Sequence, residues 1–247
     1  MLSIFVMMFS ICSVDLTECP EDLMHIGDGI CIIQFADKTN YCEAHRMCDE
    51  QGRHRKIRLF MIGRNASRLP TSITENMTVH VGIHSLLGGP QGRHSEWQVS
   101  EPGYISSTLG ENSKALVLRP PVLEQLTIMK KGKMQAVSVD EVSTTVVCEK
   151  SERKHPNKVE SSKFSKNHPW PLISNFMESD RSVGCFRNYS TTTALACSLK
   201  CRKLDKCYSF YFNKESKICV LSLHIDSRLP ISRRATPGTW ERFGRMN

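Results

Sequence analysis

Residues 39–50 read TNYCEAHRMCDE, and this stretch is the clearest structural signal in the first half of the chain. It begins with the helix-capping residue types Thr and Asn. Apolar or cysteine positions then recur at helical spacing at Tyr41, Ala44 and Cys48. This i, i+3, i+7 pattern predicts one amphipathic helix that closes at Gly52. The helix carries two of the eleven cysteines of the chain.

Short apolar stretches follow this helix. We expect a second helix around residues 67–77 and core strands at residues 79–83, 115–118 and 144–148. Because helices come early and strands late, the pattern favours an α+β domain.

The last third of the chain also has a predicted helix followed by predicted strands. Residues 191–202 (TTTALACSLKCR) predict a helix with Leu195, Leu199 and a CxxxC pair on one face. Residues 208–213 and 218–223 predict two strands joined by a Lys-Glu-Ser turn. The prediction is one helix packed on a small antiparallel sheet.

The cysteine count and the start of the chain indicate an oxidising compartment. Residues 2–14 form an apolar run that ends in small residues, which predicts a signal peptide over residues 1–14, too short to span a bilayer. Its removal takes away Cys12 and leaves ten cysteines, an even number suited to disulfide pairing. No later segment reaches 18 apolar residues. We therefore expect a secreted, extracellular protein with no membrane anchor.

The formal charge of +8 indicates anionic partners. Outside the cell, basic clusters can meet sulfated glycans or anionic microbial surfaces, whereas nucleic acid is disfavoured by the compartment. The simpler alternative is a solvated basic face. The clusters are Arg53, Arg55, Lys56 and Arg58; Lys130, Lys131 and Lys133; and Arg233 and Arg234.

Residues 151–181 are polar, rich in lysine and serine, and free of cysteine. They predict a linker between a first domain at residues 17–150 and a second at residues 182–243.

The first domain resembles the C-type lectin-like family in the order and spacing of its motifs. The matching residues are Cys19, Pro20, Glu21, Gly27, Cys31, Tyr41, Glu43, Ala44, Cys48 and Gly52, followed by VHVGIHSL at 79–86, SEWQVS at 95–100 and VVCEK at 146–150. The resemblance implies disulfides Cys19–Cys31 and Cys48–Cys148. The third pair of that family is missing on both sides, where this chain has Ser113 to Ala115 and Asp140.

The family binds sugar through calcium, which needs six to eight oxygen ligands. The ligand loop here reads Gly110, Glu111, Asn112 and Ser113 without the proline of the family. The position of the family's Trp-Asn-Asp segment holds Gln135, Ala136 and Val137, which supply no carboxylate. The resemblance therefore carries only Glu111 and Asn112 over as ligand-binding candidates. We expect no complete calcium site, no metal and no other cofactor.

Residues 185–242 resemble a PAN or apple domain, through Cys197-x-x-x-Cys201, Cys207-Tyr-Ser-Phe, Cys219-Val-Leu and Trp240. This resemblance implies nested disulfides Cys197–Cys219 and Cys201–Cys207, and a module that binds proteins or carbohydrates. Cys42 and Cys185 remain. Either they join the two domains, or one or both link two chains into an oligomer.

Three sequons, at Asn65, Asn76 and Asn188, predict exposed sites with at least one N-glycan. No HExxH, GxSxG, phosphate-loop or GxGxxG motif occurs. His80 and His84 fall in a predicted strand, where helical metal-ligand spacing does not apply, and His25, His45 and His54 are interpreted as surface residues. We therefore predict a non-enzymatic recognition protein for glycans or glycoproteins, including anionic polysaccharide, with a role in innate immune recognition. The alternative is a structural or protein-interaction component of matrix, mucus or egg coat without sugar binding.

Overall fold

The computed structural model describes residues 19–87, 97–101, 126–151, 163–177 and 184–246. The predicted signal peptide at 1–14 and the predicted strand at 115–118 lie outside these ranges. Among the described residues, no helix has the length and apolar character needed to cross a membrane.

The first unit, residues 19–151, is α+β, with two antiparallel sheets of four strands each. One has the order β1-β2-β8-β3 and the other the order β5-β4-β6-β7. The elements are β1 (Met24–His25), β2 (Cys31–Phe35), α1 (Tyr41–Arg55), β3 (Leu59–Met61), a 3₁₀ helix (Arg64–Arg68), α2 (Thr71–Thr74), β4 (Thr78–His84), β5 (Gln98–Val99), β6 (Leu126–Lys130), β7 (Lys133–Val137) and β8 (Val146–Lys150).

Helix α1 begins as the sequence predicts. The Asn40 side chain accepts a hydrogen bond from the Glu43 backbone N–H, and the Glu43 carboxylate accepts one from the Asn40 N–H, which makes a complete capping box. Tyr41, Ala44 and Cys48 are buried on one face. These contacts fix the helix at the centre of the first unit.

The predicted helix end at Gly52 is wrong, since α1 continues to Arg55 and ends at Lys56 in the left-handed conformation (φ 56°). A Cβ atom on Gly52 would lie 2.8 Å from the backbone O of Ile57 and the backbone N of Leu59. The glycine is therefore explained by the close approach of the chain that leads into β3.

The predicted second helix at residues 67–77 is also wrong in its extent. The structure has the 3₁₀ helix, an extended Leu69-Pro70 step and the four-residue α2. Proline disfavours helical backbone in the residue before it, which separates the two short helices.

The second unit, residues 163–246, has one five-stranded antiparallel sheet of order β10-β12-β11-β13-β9. Among the described residues of this unit, α3 is the one regular α-helix, and it packs on β11 and β12. The elements are β9 (Lys163–Lys166), β10 (Phe186–Ser190), α3 (Ala194–Arg202), β11 (Cys207–Asn213), β12 (Ile218–Leu223), a 3₁₀ helix (Ile231–Ala235) and β13 (Trp240–Met246).

Strand β9 corrects part of the expected linker at residues 151–181. Lys163–Lys166 pair with Phe243–Met246 at the sheet edge, and the Phe164 ring packs edge-on to Phe210 at 5.3 Å. Strand pairing and the partly buried Phe164 ring thus attach a polar stretch to the second unit.

The expected stripe on α3 is wrong for the leucines. Cys197 and Cys201 are fully buried, whereas Leu195 is 69% and Leu199 47% exposed. A step of two residues on a helix turns by about 200°, so residues 195 and 199 face away from the cysteines.

Five disulfides link the described residues: Cys19–Cys31, Cys42–Cys185, Cys48–Cys148, Cys197–Cys219 and Cys201–Cys207. The Cys42–Cys185 bond joins α1 of the first unit to the second unit. One cluster of buried apolar residues also runs through both units, and contains Ala44 and Leu86 as well as Phe210 and Leu221. The two units therefore share part of their core.

Candidate functional site

The site expected from the lectin resemblance falls largely on strand β7. Gln135, Ala136 and Val137 pair with β6, and the Gln135 side chain is exposed. These residues offer one amide and two apolar side chains, and no carboxylate. Glu111 and Asn112 lie outside the described residues. Within the described ranges, no group of three His, Cys, Asp or Glu residues could hold a metal ion.

A different cavity, of about 360 Å³, lies where the two units meet. We call it the junction cavity. Its walls come from α1 and β3 of the first unit, and from the segment between α3 and β11 together with β10 of the second. The lining residues are His45, Asp49, Arg53, Ile57, Arg58, Leu59, Phe60, Ser100, Arg187, Lys203, Leu204, Asp205, Lys206, Tyr208 and His224.

Local structure explains how each wall is built. Asp49 and Arg53 stand four residues apart on α1, so both reach the same side of the helix. The end of α1 at Lys56 turns the chain so that Arg58 follows on the same wall. Across the cavity, the short connection after α3 presents Lys203 and Lys206.

The junction cavity is strongly basic, with five lysine or arginine side chains and two aspartates in its lining. Asp49 is shared, because its carboxylate lies 2.6 Å from the Lys206 ammonium and 3.5 Å from the Arg53 guanidinium. In the described part of the chain, Arg58, Arg187 and Lys203 form no ion pair.

Direct contacts hold the two walls together. The Tyr208 hydroxyl donates to the Ser100 carbonyl at 2.9 Å, and the Arg228 backbone N–H donates to the Leu86 carbonyl at 3.3 Å. Burial raises the pKa of Tyr208, so this hydroxyl remains a donor at neutral pH. The Lys206–Asp49 ion pair also crosses the junction.

Histidines line the cavity and continue behind it. His45 is 4% exposed and its ring stacks on His224 at 5.5 Å, so the interpretation of His45 as a surface residue is wrong. Burial, together with His224, His84 and His80, lowers the pKa of His45 well below its usual value. Burial, together with the charges of Lys206 and Arg187, lowers the pKa of His224 to about 4, and Asp49 opposes the shift.

His80 and His84 lie on strand β4, as the sequence predicts, and both are buried. Burial lowers the pKa of His80 to about 4 and that of His84 to about 3. The Tyr41 ring meets His80 edge-on at 5.5 Å. These neutral rings therefore act as core side chains.

The sequons differ in their surroundings. Asn76 and Asn188 are exposed, the latter on strand β10. Asn65 is half-buried, and its side-chain amide donates to the Glu149 carboxylate at 2.6 Å. Of the three, Asn76 and Asn188 have the geometry that a glycan needs.

Sequence reasoning found only part of the junction cavity. It grouped Arg53 and Arg58 with Arg55 and Lys56, but Arg55 pairs with Asp22 at 2.5 Å and Lys56 ends α1. The opposite wall lies more than a hundred residues away in sequence. The hypothesis that a disulfide between Cys42 and Cys185 joins the two domains was the one prediction that placed the two walls near each other.

No family model matches the sequence, and no curated protein matches it. Among solved structures, the chain is similar to the C-type lectin CEL-I from Cucumaria echinata, with 12% identity, 55% of this chain and 99% of that chain covered, and a TM-score of 0.37. A mouse scavenger receptor C-type lectin carbohydrate-recognition domain has 16% identity, with 56% of this chain and 100% of that chain covered and a TM-score of 0.36. The cow carbohydrate-recognition domain of CD23 has 15% identity, with 53% of this chain and 95% of that chain covered and a TM-score of 0.35. Because all three TM-scores are below 0.5, the fold of this chain is defined by its own strand order and disulfides.

Proposed function

We propose that this protein is a secreted recognition protein that binds carbohydrate, with a C-type lectin-like first unit and a PAN/apple second unit. The arrangement that carries the proposal is the closure of the first unit. Strand β2 pairs with β8, so the two ends of the unit lie side by side, and Cys48–Cys148 ties α1 to the closing strand. These are the disulfide and helix that the family resemblance implies.

The second unit supports the other half of the proposal. Helix α3 is attached to the sheet by Cys197–Cys219, and the Cys201–Cys207 bond lies beside it. The resemblance to PAN domains implies this nested pairing. The proposed role of the unit is a second contact surface, which raises avidity when both units engage one ligand.

Calcium has no part in the proposed binding. The side chains of Gln135, Ala136 and Val137 lack the charged oxygen ligands that a calcium-held sugar requires. Because ten of the chain's cysteines are in disulfides and no catalytic motif occurs, we propose a stable extracellular binder with no enzymatic activity.

A glycan array tests this function. Oxidised, secreted protein is applied with and without a calcium chelator. We expect binding that the chelator leaves unchanged. Binding abolished by the chelator would overturn the calcium-independent mode, and no binding to any glycan would overturn the carbohydrate function.

A protein-interaction role is the second candidate, and Leu195 and Leu199 favour it. They lie one turn apart on α3 and are 69% and 47% exposed. The double variant Leu195→Ser/Leu199→Ser retains glycan binding under the first proposal. A role in matrix assembly instead predicts that wild-type protein binds no glycan and self-associates, and that this variant remains monomeric in sedimentation.

A further inference from the structure

The junction cavity collects positive charge that the protein itself does not neutralise. Of its five cationic side chains, Lys206 and Arg53 are held by Asp49. Arg58, Arg187 and Lys203 converge on the same cavity without an ion pair among the described residues. Like charges gathered in a concave site favour an anionic ligand, because the walls reduce screening by solvent.

The two walls that carry this charge are held together before any ligand arrives. The Cys42–Cys185 disulfide, the Tyr208–Ser100 hydrogen bond and the Lys206–Asp49 ion pair all cross the junction. A preformed site loses less conformational entropy on binding than a mobile surface cluster does.

The walls also offer apolar surface and hydrogen-bonding capacity. Ile57, Phe60 and Leu204 line the cavity beside the charges. His45 Nε2 and Ser100 Oγ lie behind this surface, where they are buried and have no hydrogen-bond partner among the described residues. A ligand with an anionic group on a ring that has both C–H and hydroxyl faces would use the cationic hydrogen-bond donors and the apolar surface together. The volume of about 360 Å³ suits a ring with its substituent, at the lower end of the range for small-ligand pockets.

We propose that the junction cavity binds the sulfate group of a sulfated saccharide, with the guanidinium groups of Arg58 and Arg187 and the ammonium group of Lys203 as its cationic contacts. Arginine suits this role because its planar donors match two oxygens of a tetrahedral anion at once. The inference rests on the proposed carbohydrate function and names a ligand class for a site away from Gln135, Ala136 and Val137. The sulfated saccharide would thus bind where the two units meet.

The test compares two variants with the same loss of charge. Arg58→Gln/Arg187→Gln removes two cations from the cavity, and Lys130→Gln/Lys133→Gln removes two from the exposed end of the β6–β7 hairpin. Binding of a heparin-derived tetrasaccharide, of its chemically desulfated form and of inorganic sulfate is measured by calorimetry at physiological ionic strength. We expect the cavity variant to bind the sulfated form at least about tenfold more weakly, as loss of charged hydrogen bonds implies, and the control less than about twofold.

Lys203 gives an independent readout that needs no substitution. It is exposed in the absence of ligand, as is Lys214, which lies in the turn between β11 and β12 and outside the cavity lining. The tetrasaccharide should slow acetylation of Lys203, followed by mass spectrometry, and leave Lys214 unchanged. Circular dichroism checks that the arginine variant folds; if it does not, Lys203→Gln takes its place in the binding assay.

Each outcome bears on the inference. Equal weakening in both double variants, equal affinity for the desulfated form, or no protection of Lys203 would overturn it. If the protein bound inorganic sulfate but not the tetrasaccharide, the cavity would remain an anion site, but the proposal that it binds a saccharide would be overturned. Binding of neutral glycans with no tighter binding of the sulfated tetrasaccharide would remove this inference and keep the proposed function, whereas no saccharide binding at all would remove both.

Discussion

The two units use disulfides at different ranges along the chain. In the first unit, Cys48–Cys148 spans 100 residues and joins α1 to β8, the last strand of its sheet. In the second unit, Cys197–Cys219 and Cys201–Cys207 span 22 and 6 residues around a single helix. Apart from the 12-residue Cys19–Cys31 loop, the first unit is therefore closed by one long-range bond, and the bonds within the second unit act locally.

The units also bury different kinds of polar group. The first encloses the neutral rings of His80 and His84. The second encloses Arg242, which is 1% exposed and donates to the Asp226 carboxylate and to the His168 carbonyl. Burial by itself lowers the pKa of Arg242, but Asp226 and Tyr211 together raise it above its usual value. The buried histidines of the first unit are neutral, whereas Arg242 of the second unit requires its charged partner.

The largest expected effect comes from removing one disulfide in each unit. By loop-closure entropy, Cys48→Ser/Cys148→Ser should lower the free energy of unfolding by about 5 kcal/mol for its 100-residue span, and Cys201→Ser/Cys207→Ser by about 2 kcal/mol for its 6-residue span. Urea denaturation of the secreted variants measures both. Equal losses would show that disulfide range does not distinguish the units.

The next effect concerns the buried ion pair of the second unit. Asp226→Asn leaves the Arg242 charge buried without its carboxylate, which should cost about 3 to 5 kcal/mol. The control is Glu241→Gln, which removes an exposed pair with Lys166 in the same sheet and should cost less than about 1 kcal/mol. Denaturation midpoints compare the two. Similar losses would mean that Asp226 and Arg242 contribute no more than a surface pair.

Acid should act through the buried histidines, among them His80 and His84 of the first unit. Because burial lowers the pKa of His80 to about 4, its stabilising neutral form is fully effective above the unfolded value of about 6.5 and is lost as the pH falls from 6.5 towards 4. The loss for His80 alone is roughly 3 kcal/mol between pH 7 and pH 4. His84, with a pKa of about 3, acts in the same direction over a wider window.

The free energy of unfolding at pH 7 and pH 4 tests this expectation. His80→Gln should show a smaller difference between the two pH values than wild type does. His54→Gln, at an exposed position of α1, serves as the control and should leave the difference unchanged. A pH dependence that His80→Gln does not reduce would assign the acid response to other groups.

Local patterns predicted what local interactions determine. Helix α1 and strands β4, β11 and β12 follow from apolar spacing and capping residues between neighbours in sequence. Helix α3 also forms where its pattern indicates, but Leu195 and Leu199 do not share the face of its cysteines. The helical angle between positions, rather than apolar character alone, decides which side chain is buried.

Features that join distant segments were largely missed. The burial of His45 requires His224, which stands 179 positions further along the chain than residue 45, and nothing near residue 45 signals it. Strand β9 requires an unpaired edge of β13, so its polar sequence resembled a linker. The junction cavity combines both problems, since its charges become a site only after the units meet. The candidates Glu111 and Asn112 remain predictions.

The smallest effect compares the starts of the two helices. Asn40 and Glu43 cap α1 reciprocally, whereas Thr193 only accepts from the Ala196 N–H at the start of α3. Both capping residues are exposed, so their replacement removes little packing. Asn40→Ala should cost about 1 to 2 kcal/mol and Thr193→Ala about 1 kcal/mol or less, while Asn40→Gly should cost only a few tenths. Thermal denaturation distinguishes these values. Two disulfides already hold the short helix α3, so its cap should matter less than that of α1. A greater loss for Thr193→Ala than for Asn40→Ala would mean that α3 still needs its first turn fixed by the cap.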